Sequence, residues 1–314
     1  MQLFFFARYT KKKHRERNRS MSKENPPSPH LWQSDLACER HRADERQPGI
    51  ERRVEEANSL RLERISVTSE EGAASIGRPM GHYDTLTTPP LDTLDEAMRE
   101  ITAEAVSREL SKLALGRIGH TPSSLLVVGL GNASMTADAI GPQTAEKIHA
   151  TRHIRAYDEA MFRALACAEI AVLQPGVSAQ SGLDAADIVQ HLCRSIRPEA
   201  VLVFDALAAR ATDRLGCTIQ LADTGISPGS GVGNHRKALD ADTLGCPVLS
   251  VGVPTVTDSR IFFREEAARC GISTADVPSG EGMFVSPRGI DEIVACASDI
   301  LSSAVNRTFG ISFS

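Results

Sequence analysis

Apolar residues are sparse and aperiodic over the first sixty positions, and then fall into short alternating runs and helical stripes. Residues 1 to about 60 are rich in Arg, Glu, Ser and Pro, which predicts a disordered or loosely draped arm with too little apolar surface to offset chain entropy. Over 60–67, Leu60, Leu62, Ile65 and Val67 predict a strand, with one break in period two. GRPMGHYDTLTTPPL (77–91) reads as a turn-rich connection. Leu94, Met98, Ile101, Ala105 and Leu110 then recur at helical spacing and predict a long amphipathic helix.

Beyond it, strands and helices alternate. The runs SLLVVGLG, EIAVLQPG, AVLVFDAL, TIQLADTG and PVLSVGVP are each bounded by Gly, Pro or Asp and are apolar on both faces, as in a sheet covered on both sides. Ile188, Leu192 and Ile196 mark a helix that stops at Pro198. A last helix is expected through SPRGIDEIVACASDILSSAVNRTF, with Ser286 as N-cap and Pro287 at its first position. The rhythm predicts an α/β fold, phosphorylase/hydrolase-like, with a mostly parallel sheet flanked by helices on both faces and joined by right-handed crossovers.

The chain has 314 residues, 41% of them hydrophobic, which suits one large domain. A net charge of -5 gives no basic footprint, so direct nucleic-acid binding is not expected. The seven cysteines are scattered without a C-x-x-C pair, the usage of a reduced cytoplasmic protein. At the start, MQLFFFARYTKKKHRERNRS places its basic cluster after its apolar run, the reverse of a secretory signal, and reads as an upstream extension before Met21. No apolar stretch approaches a membrane span in length, so no membrane partner is expected.

Ligands of an open parallel sheet gather beyond the carboxyl ends of its strands, which directs attention to three loops. In VVGLGNASMTADAIGP, Gly129 and Gly131 make a tight strand exit, Asn132 and Thr136 are polar, and Asp138 falls near a helix start whose dipole would favour the ionised carboxylate. The plainer reading of an Asp in this place is a simple helix cap. Ser134 stands where a dinucleotide motif needs its third glycine, which argues against a Rossmann cofactor. In VLVFDALAAR, four apolar residues run into Asp205, which is costly to bury without partners or a task; pairing with Arg210 or with backbone amides is the plainer alternative. DTGISPGSGVGNHRKAL is dense in glycine, including Gly229 and Gly231, and suits an anion nest or substrate cradle, but it lacks the G-K-[ST] ending of a phosphate loop. No H-E-x-x-H or H-x-x-H pair occurs, so His153, His191 and His235 read as surface or helix-face residues, and neither metal nor cofactor is called for. PTVTDS reads as a strand-exit turn.

Together, GLGNASMTADAIGP, PGVSAQSG, FDALAAR, TIQLADTGISPGSGVGNHR and LGCPVLSVGVPTVTDS resemble the germination proteases, which degrade the small acid-soluble proteins of bacterial spores. The resemblance runs from about Gln33 to the last helix and implies a fold like that of the hydrogenase maturation proteases, with Asp138 and Asp205 as the catalytic aspartates. Ala137 and Ile140 depart from the family's TPDALGP. The site-shaping positions it implies are Asn132, Thr136, Asp223, Gly229, Gly231, Asn234 and Arg236. QSDLACE resembles the family's processing site RTDLAxE, with Gln33 and Ser34 departing from it. That implies a zymogen cut between Asp35 and Leu36, so that residues 1–35 are extension and propeptide and 36–314 the endopeptidase domain. The resemblance further implies small acid-soluble spore proteins as substrate, a homotetramer, and the cytoplasm of the forespore or spore core as location. Two carboxylates sharing a site cannot both ionise freely, so one is expected to act as base and the other as acid, either Asp138 as base with Asp205 as acid or the reverse. The alternatives are a metal-dependent endopeptidase in which both aspartates are ligands, and a non-catalytic peptide-binding module.

Overall fold

The structure, a computed structural model, describes residues 34–41, 47–229, 236–273 and 282–310. The chain divides into two units, Met1–Leu31 and Trp32–Ser314, and the described residues all belong to the second. The arm before Ser34, Gly231, Asn234 and His235 lie outside the described residues.

Nine strands are described: β1 Ile50–Ala57, β2 Leu60–Val67, β3 Gly81–Thr87, β4 Ser124–Gly129, β5 Glu169–Leu173, β6 Ala200–Ala208, β7 Thr218–Ala222, β8 Val248–Asp258 and β9 Phe284–Val285. They form one sheet in the order β1-β2-β3-β7-β8-β6-β4-β5, and β9 pairs with β8. The core β8-β6-β4-β5 is parallel, as expected from runs apolar on both faces. β7 joins it antiparallel to β8, and β3, β2 and β1 continue the antiparallel extension.

Alternation along the core strands feeds two apolar layers. On one face Leu125, Val127, Leu202, Phe204, Leu249 and Val251 pack with Val106 and Leu110 of the helix Glu96–Ile118 and with Val294, Ile300 and Leu301 of the helix Ile290–Thr308. On the other, Leu126, Val128, Val201 and Val203 meet Val189 and Cys193 of the helix Ala185–Ile196. Asp95 caps the first of these helices by accepting from Met98 N–H, and Asp184 caps the third by accepting from Ala186 N–H.

Several local expectations are corrected. The predicted arm contains β1, whose side chains are mostly exposed and charged, so its stability comes from the ladder to β2 and its sequence carries no apolar period. The segment from Ser34 to His41 is ordered against the domain, with Asp35, Leu36 and Ala37 buried. The predicted turn-rich connection holds β3, where Tyr83, Asp84, Thr85 and Leu86 are all buried, so half-polar residues fill an interior strand. The last helix begins at Ile290, behind Gly289, and Ser286 with Pro287 precedes it. PTVTDS lies largely inside β8, and Asp258 caps the helix Ser259–Arg269 by accepting from Arg260 N–H.

Candidate active site

The exit from β4 is shaped by glycines that let backbones touch. A Cβ on Gly141 would lie 2.1 Å from Leu130 O and 2.6 Å from Phe204 O, so the short helix Ile140–Glu146 presses directly on the ends of β4 and β6. Gly131 has φ +118°, and a Cβ there would lie 2.0 Å from Asp138 O. That approach lets the 3-10 turn Thr136–Asp138 fold back on the strand exit: Asn132 N–H donates to Asp138 O at 3.1 Å and to Asp138 Oδ2 at 2.9 Å. Asn132 Oδ1 accepts in turn from Ser134 N–H and from Gln180 Nε2, each at 3.0 Å. Thr255 Oγ1 on β8 donates to Ala137 O at 2.6 Å and pins the turn from the far side.

Asp205 lies near the carboxyl end of β6, only 6% exposed, with Oδ1 accepting its neighbour's Ala206 N–H at 3.0 Å. The amide half of the plainer alternative for Asp205 therefore holds. The backbone N–H of Arg210 donates to Glu39 Oε2 at 2.7 Å. Asp138 makes no side-chain cap on the helix that follows it. Both aspartates line a single cavity of about 360 Å³ together with Asp35, Gly131, Met135, Ala137, Gly229, Arg236, Thr255, Phe284 and Ser286.

Electrostatics distinguishes the two carboxyls. Burial, then the negative charges of Asp138 and Asp35, raise Asp205 well above the usual carboxylate range, against smaller opposing effects of Ala206 N–H and Arg236. Asp138 is also raised, by burial, while Asn132 N–H and the Arg236 cation favour its charged form. Desolvation is the largest of these effects at Asp138.

Of the positions expected to shape the site, Gly229 and Arg236 line the cavity and Asn132 holds Asp138. Thr136 opens the turn, its carbonyl accepting from Ala139 N–H at 3.0 Å, but does not line the cavity. Asp223 lies elsewhere: its carboxylate accepts His82 N–H at 2.7 Å and meets His82 Nδ1 at 2.8 Å. Asp35 reaches the cavity, and Leu36 is fully buried against Leu207 and Ala209. Thr255 and Phe284 escaped sequence reasoning, Ser286 was read only as a helix cap, and Lys237 fell within the glycine-rich loop without being singled out. The alternation V-P-T-V-T continuing the β8 run was the available signal for Thr255; the others lie in segments without periodicity.

Among the described residues no three His, Cys, Asp or Glu gather as a metal site, and no helix is long and apolar enough to cross a membrane. The structure aligns with the [NiFe] hydrogenase maturation protease HycI from Thermococcus kodakarensis KOD1 over 63% of this chain and 99% of that one, at 15% identity and a TM-score of 0.34. Germination protease of Caldanaerobacter subterraneus subsp. tengcongensis is 38% identical over 72% of this chain and 69% of its own length. That of Geobacillus sp. (strain WCH70) is 41% identical over 65% of this chain and 54% of its own length, so the chain spans only about half of that relative. That of Clostridium perfringens (strain ATCC 13124) is 31% identical over 87% of this chain and 93% of its own length. The family model described as germination protease matches residues 31–265, three quarters of the sequence, and the chain belongs to that family.

Proposed function

We propose that the protein is an endopeptidase in which Asp138 and Asp205 activate water against a peptide bond. The observation that carries this reading is the convergence of the two carboxyls, with Asp35, on one cavity. Asp205, buried and facing two like charges, is the protonated member. Asp138, held by Asn132 N–H and facing the charge of Arg236, is the ionised one. Asp138 takes a proton from water as the water oxygen bonds to the scissile carbonyl carbon. Asp205 gives its proton to the carbonyl oxygen. The C–N bond then breaks with the nitrogen leaving as an amine, its proton supplied through Asp138.

The first bond cut is the chain's own, between Asp35 and Leu36, so that the protein is made as a zymogen. Its substrates are the small acid-soluble proteins of spores, its location the forespore or spore core, and its assembly a homotetramer; family membership supports these points. Incubation of the purified chain with a small acid-soluble spore protein is expected to give discrete fragments, and N-terminal sequencing of the matured chain to begin at Leu36. Asp138→Asn and Asp205→Asn should each remove both reactions while leaving the melting transition cooperative. Full activity in either folded variant refutes the mechanism.

A further inference from the structure

Two of the seven cysteines meet in the apolar layer behind the parallel strands, and both are free thiols. Cys193 is buried in the last turn of the helix Ala185–Ile196, and its carbonyl accepts the N–H of Arg197, which closes the helix at φ +48°. Cys246 is half-buried between the short helix Ala241–Leu244 and β8, packed against the same cluster as Cys193. Its turn is fixed from three sides. Asp240 Oδ1 accepts Thr243 N–H at 2.8 Å, Val201 N–H donates to Pro247 O at 2.9 Å, and Gln190 Nε2, on the helix of Cys193, donates to Thr243 O. A side-chain hydrogen bond joins the two thiols.

Both side chains line a cavity of about 550 Å³, so the pair is open to a small reagent. Its charged lining is Arg194, Arg197 and Asp242. Among the described residues neither guanidinium has a carboxylate within ion-pair distance. A positively charged rim of this kind favours reagents that carry carboxylates. The hydrogen bond between the thiols is asymmetric. It raises Cys193, the donor, with burial adding to the effect, and it lowers Cys246, the acceptor, against the effect of burial. Cys246 is therefore the thiol that ionises and attacks, and Cys193 the one that follows. Once Cys246 is blocked, the bond that held Cys193 protonated is gone.

We propose that Cys193 and Cys246 form a modification site for anionic low-molecular-weight disulfides, which convert the pair into an internal disulfide. The Cys246 thiolate attacks one sulfur of the reagent. The reagent S–S bond breaks, a mixed disulfide forms on Cys246, and the departing thiolate takes up the proton that Cys246 gave to water. Cys193 then loses its proton and attacks Cys246 Sγ; the mixed disulfide breaks, and the second reagent thiolate leaves and takes that proton. Two protein thiols are oxidised and one reagent disulfide is reduced to two thiols. The new bond ties the entry of β8 to a helix whose first residues, Ala185 and Ala186, line the cavity of Asp138 and Asp205.

The test treats the reduced full chain with oxidised glutathione until exposed Cys270 is modified, quenches with N-ethylmaleimide in denaturant, and maps all cysteines by mass spectrometry without reduction. The expected product is a Cys193–Cys246 disulfide, with a raised melting temperature. Modified Cys270 beside Cys193 and Cys246 that are both still thiols overturns the proposal. Cys193→Ala should hold Cys246 as a lasting mixed disulfide, and Cys246→Ala should leave Cys193 unmodified; the reverse pattern overturns the order of attack. Should either variant fail to fold, the map of the parent chain decides alone. The rate of modification by oxidised glutathione, taken relative to that by the cationic disulfide cystamine, is expected to fall about tenfold in the Arg194→Gln, Arg197→Gln double variant. An unchanged ratio overturns the anionic class of reagent.

Discussion

Gly131→Ala separates the positioning of Asp138 from its chemistry. At φ +118° the backbone of residue 131 occupies a region that L side chains rarely adopt, and the added Cβ would stand 2.0 Å from Asp138 O and 3.2 Å from Asp138 Oδ1. An ordinary carbon–oxygen contact is about 3.3 Å, so the turn carrying Asp138 must retreat by roughly 1.3 Å. Otherwise residue 131 must rotate, and the bonds from Asn132 N–H to Asp138 O and Oδ2 are lost. Strain of about 1–3 kcal/mol and a clash of similar size bound the destabilisation at about 2–6 kcal/mol. A reacting group displaced by about 1 Å loses on the order of a hundredfold in rate. The measurements are kcat on a peptide containing the Asp–Leu–Ala sequence and the melting temperature of the same preparation. The expected result is a kcat lowered about a hundredfold in protein that still melts cooperatively. A folded Gly131→Ala protein with undiminished kcat would refute the argument that this glycine sets the carboxylate.

Further expectations concern charge. Burial and the neighbouring Glu109 push Asp84 up to about 7, so the folded state retains a proton that the unfolded chain, with its ordinary pKa near 4, releases. Stability from this group is full below about pH 4 and lost as pH rises through about 7, by up to about 4 kcal/mol; urea midpoints of Asp84→Asn relative to the parent should therefore rise between pH 5 and pH 8, and a constant offset would contradict it. Glu109, its side chain 1% exposed, accepts from Arg64 Nη2 and from Lys112 Nζ, each at 2.9 Å. Glu109→Ala removes these charged hydrogen bonds while Arg64 keeps Glu55, and should cost about 1–3 kcal/mol by urea titration, an unchanged midpoint being the contrary result. The rate of peptide hydrolysis should fall with rising pH as the raised Asp205 loses its proton, and an alkaline limb that survives unaltered in a still active Asp205→Asn variant would disown that residue.

What could be read along the chain depended on whether burial was two-sided. β4 and β6 carry unbroken apolar runs, and the start of β8 one broken only by Ser250, because helices cover both faces, and such runs stand out from any background. β1 is held by pairing with β2 alone and remains charged and exposed, so nothing in its composition distinguishes it from a loop. β3 buries Asp84 and Thr85 inside the sheet, which hides it from a hydrophobic scan. Asp138 and Asp205 were legible because polar residues at the exits of apolar strands are conspicuous. Arg78 and Gln220 were not, since each is an ordinary polar residue whose partner, Asp35, lies 43 and 185 positions away. The glycines around Asp138 were legible as a tight strand exit, but the contacts they permit, of Gly131 with the turn and of Gly141 with Leu130 and Phe204, needed the fold.

The two halves of the sheet divide the work. The parallel half brings Asp138 and Asp205 to the exits of adjacent strands β4 and β6, and the antiparallel extension brings Gln220 on β7 and Arg78, which precedes β3, to Asp35. In register, Asp205 and Gln220 both stand opposite Gly252 of β8, so they lie at one level of the sheet two strand spacings apart, about 10 Å. Gly252 sends no side chain into that interval, and the Leu207 side chain covers its Cα, beside Leu36. A glycine is required there because a Cβ would meet Leu207 Cγ at 2.5 Å and push the leucine into the seat of the docked segment. The strand β8 therefore sets the span between Asp205 and Gln220, whose side-chain amide holds the main chain of Asp35 and Ala37. Of the antiparallel strands, β2 and β7 were visible as apolar alternation, whereas β1 and β3 were not.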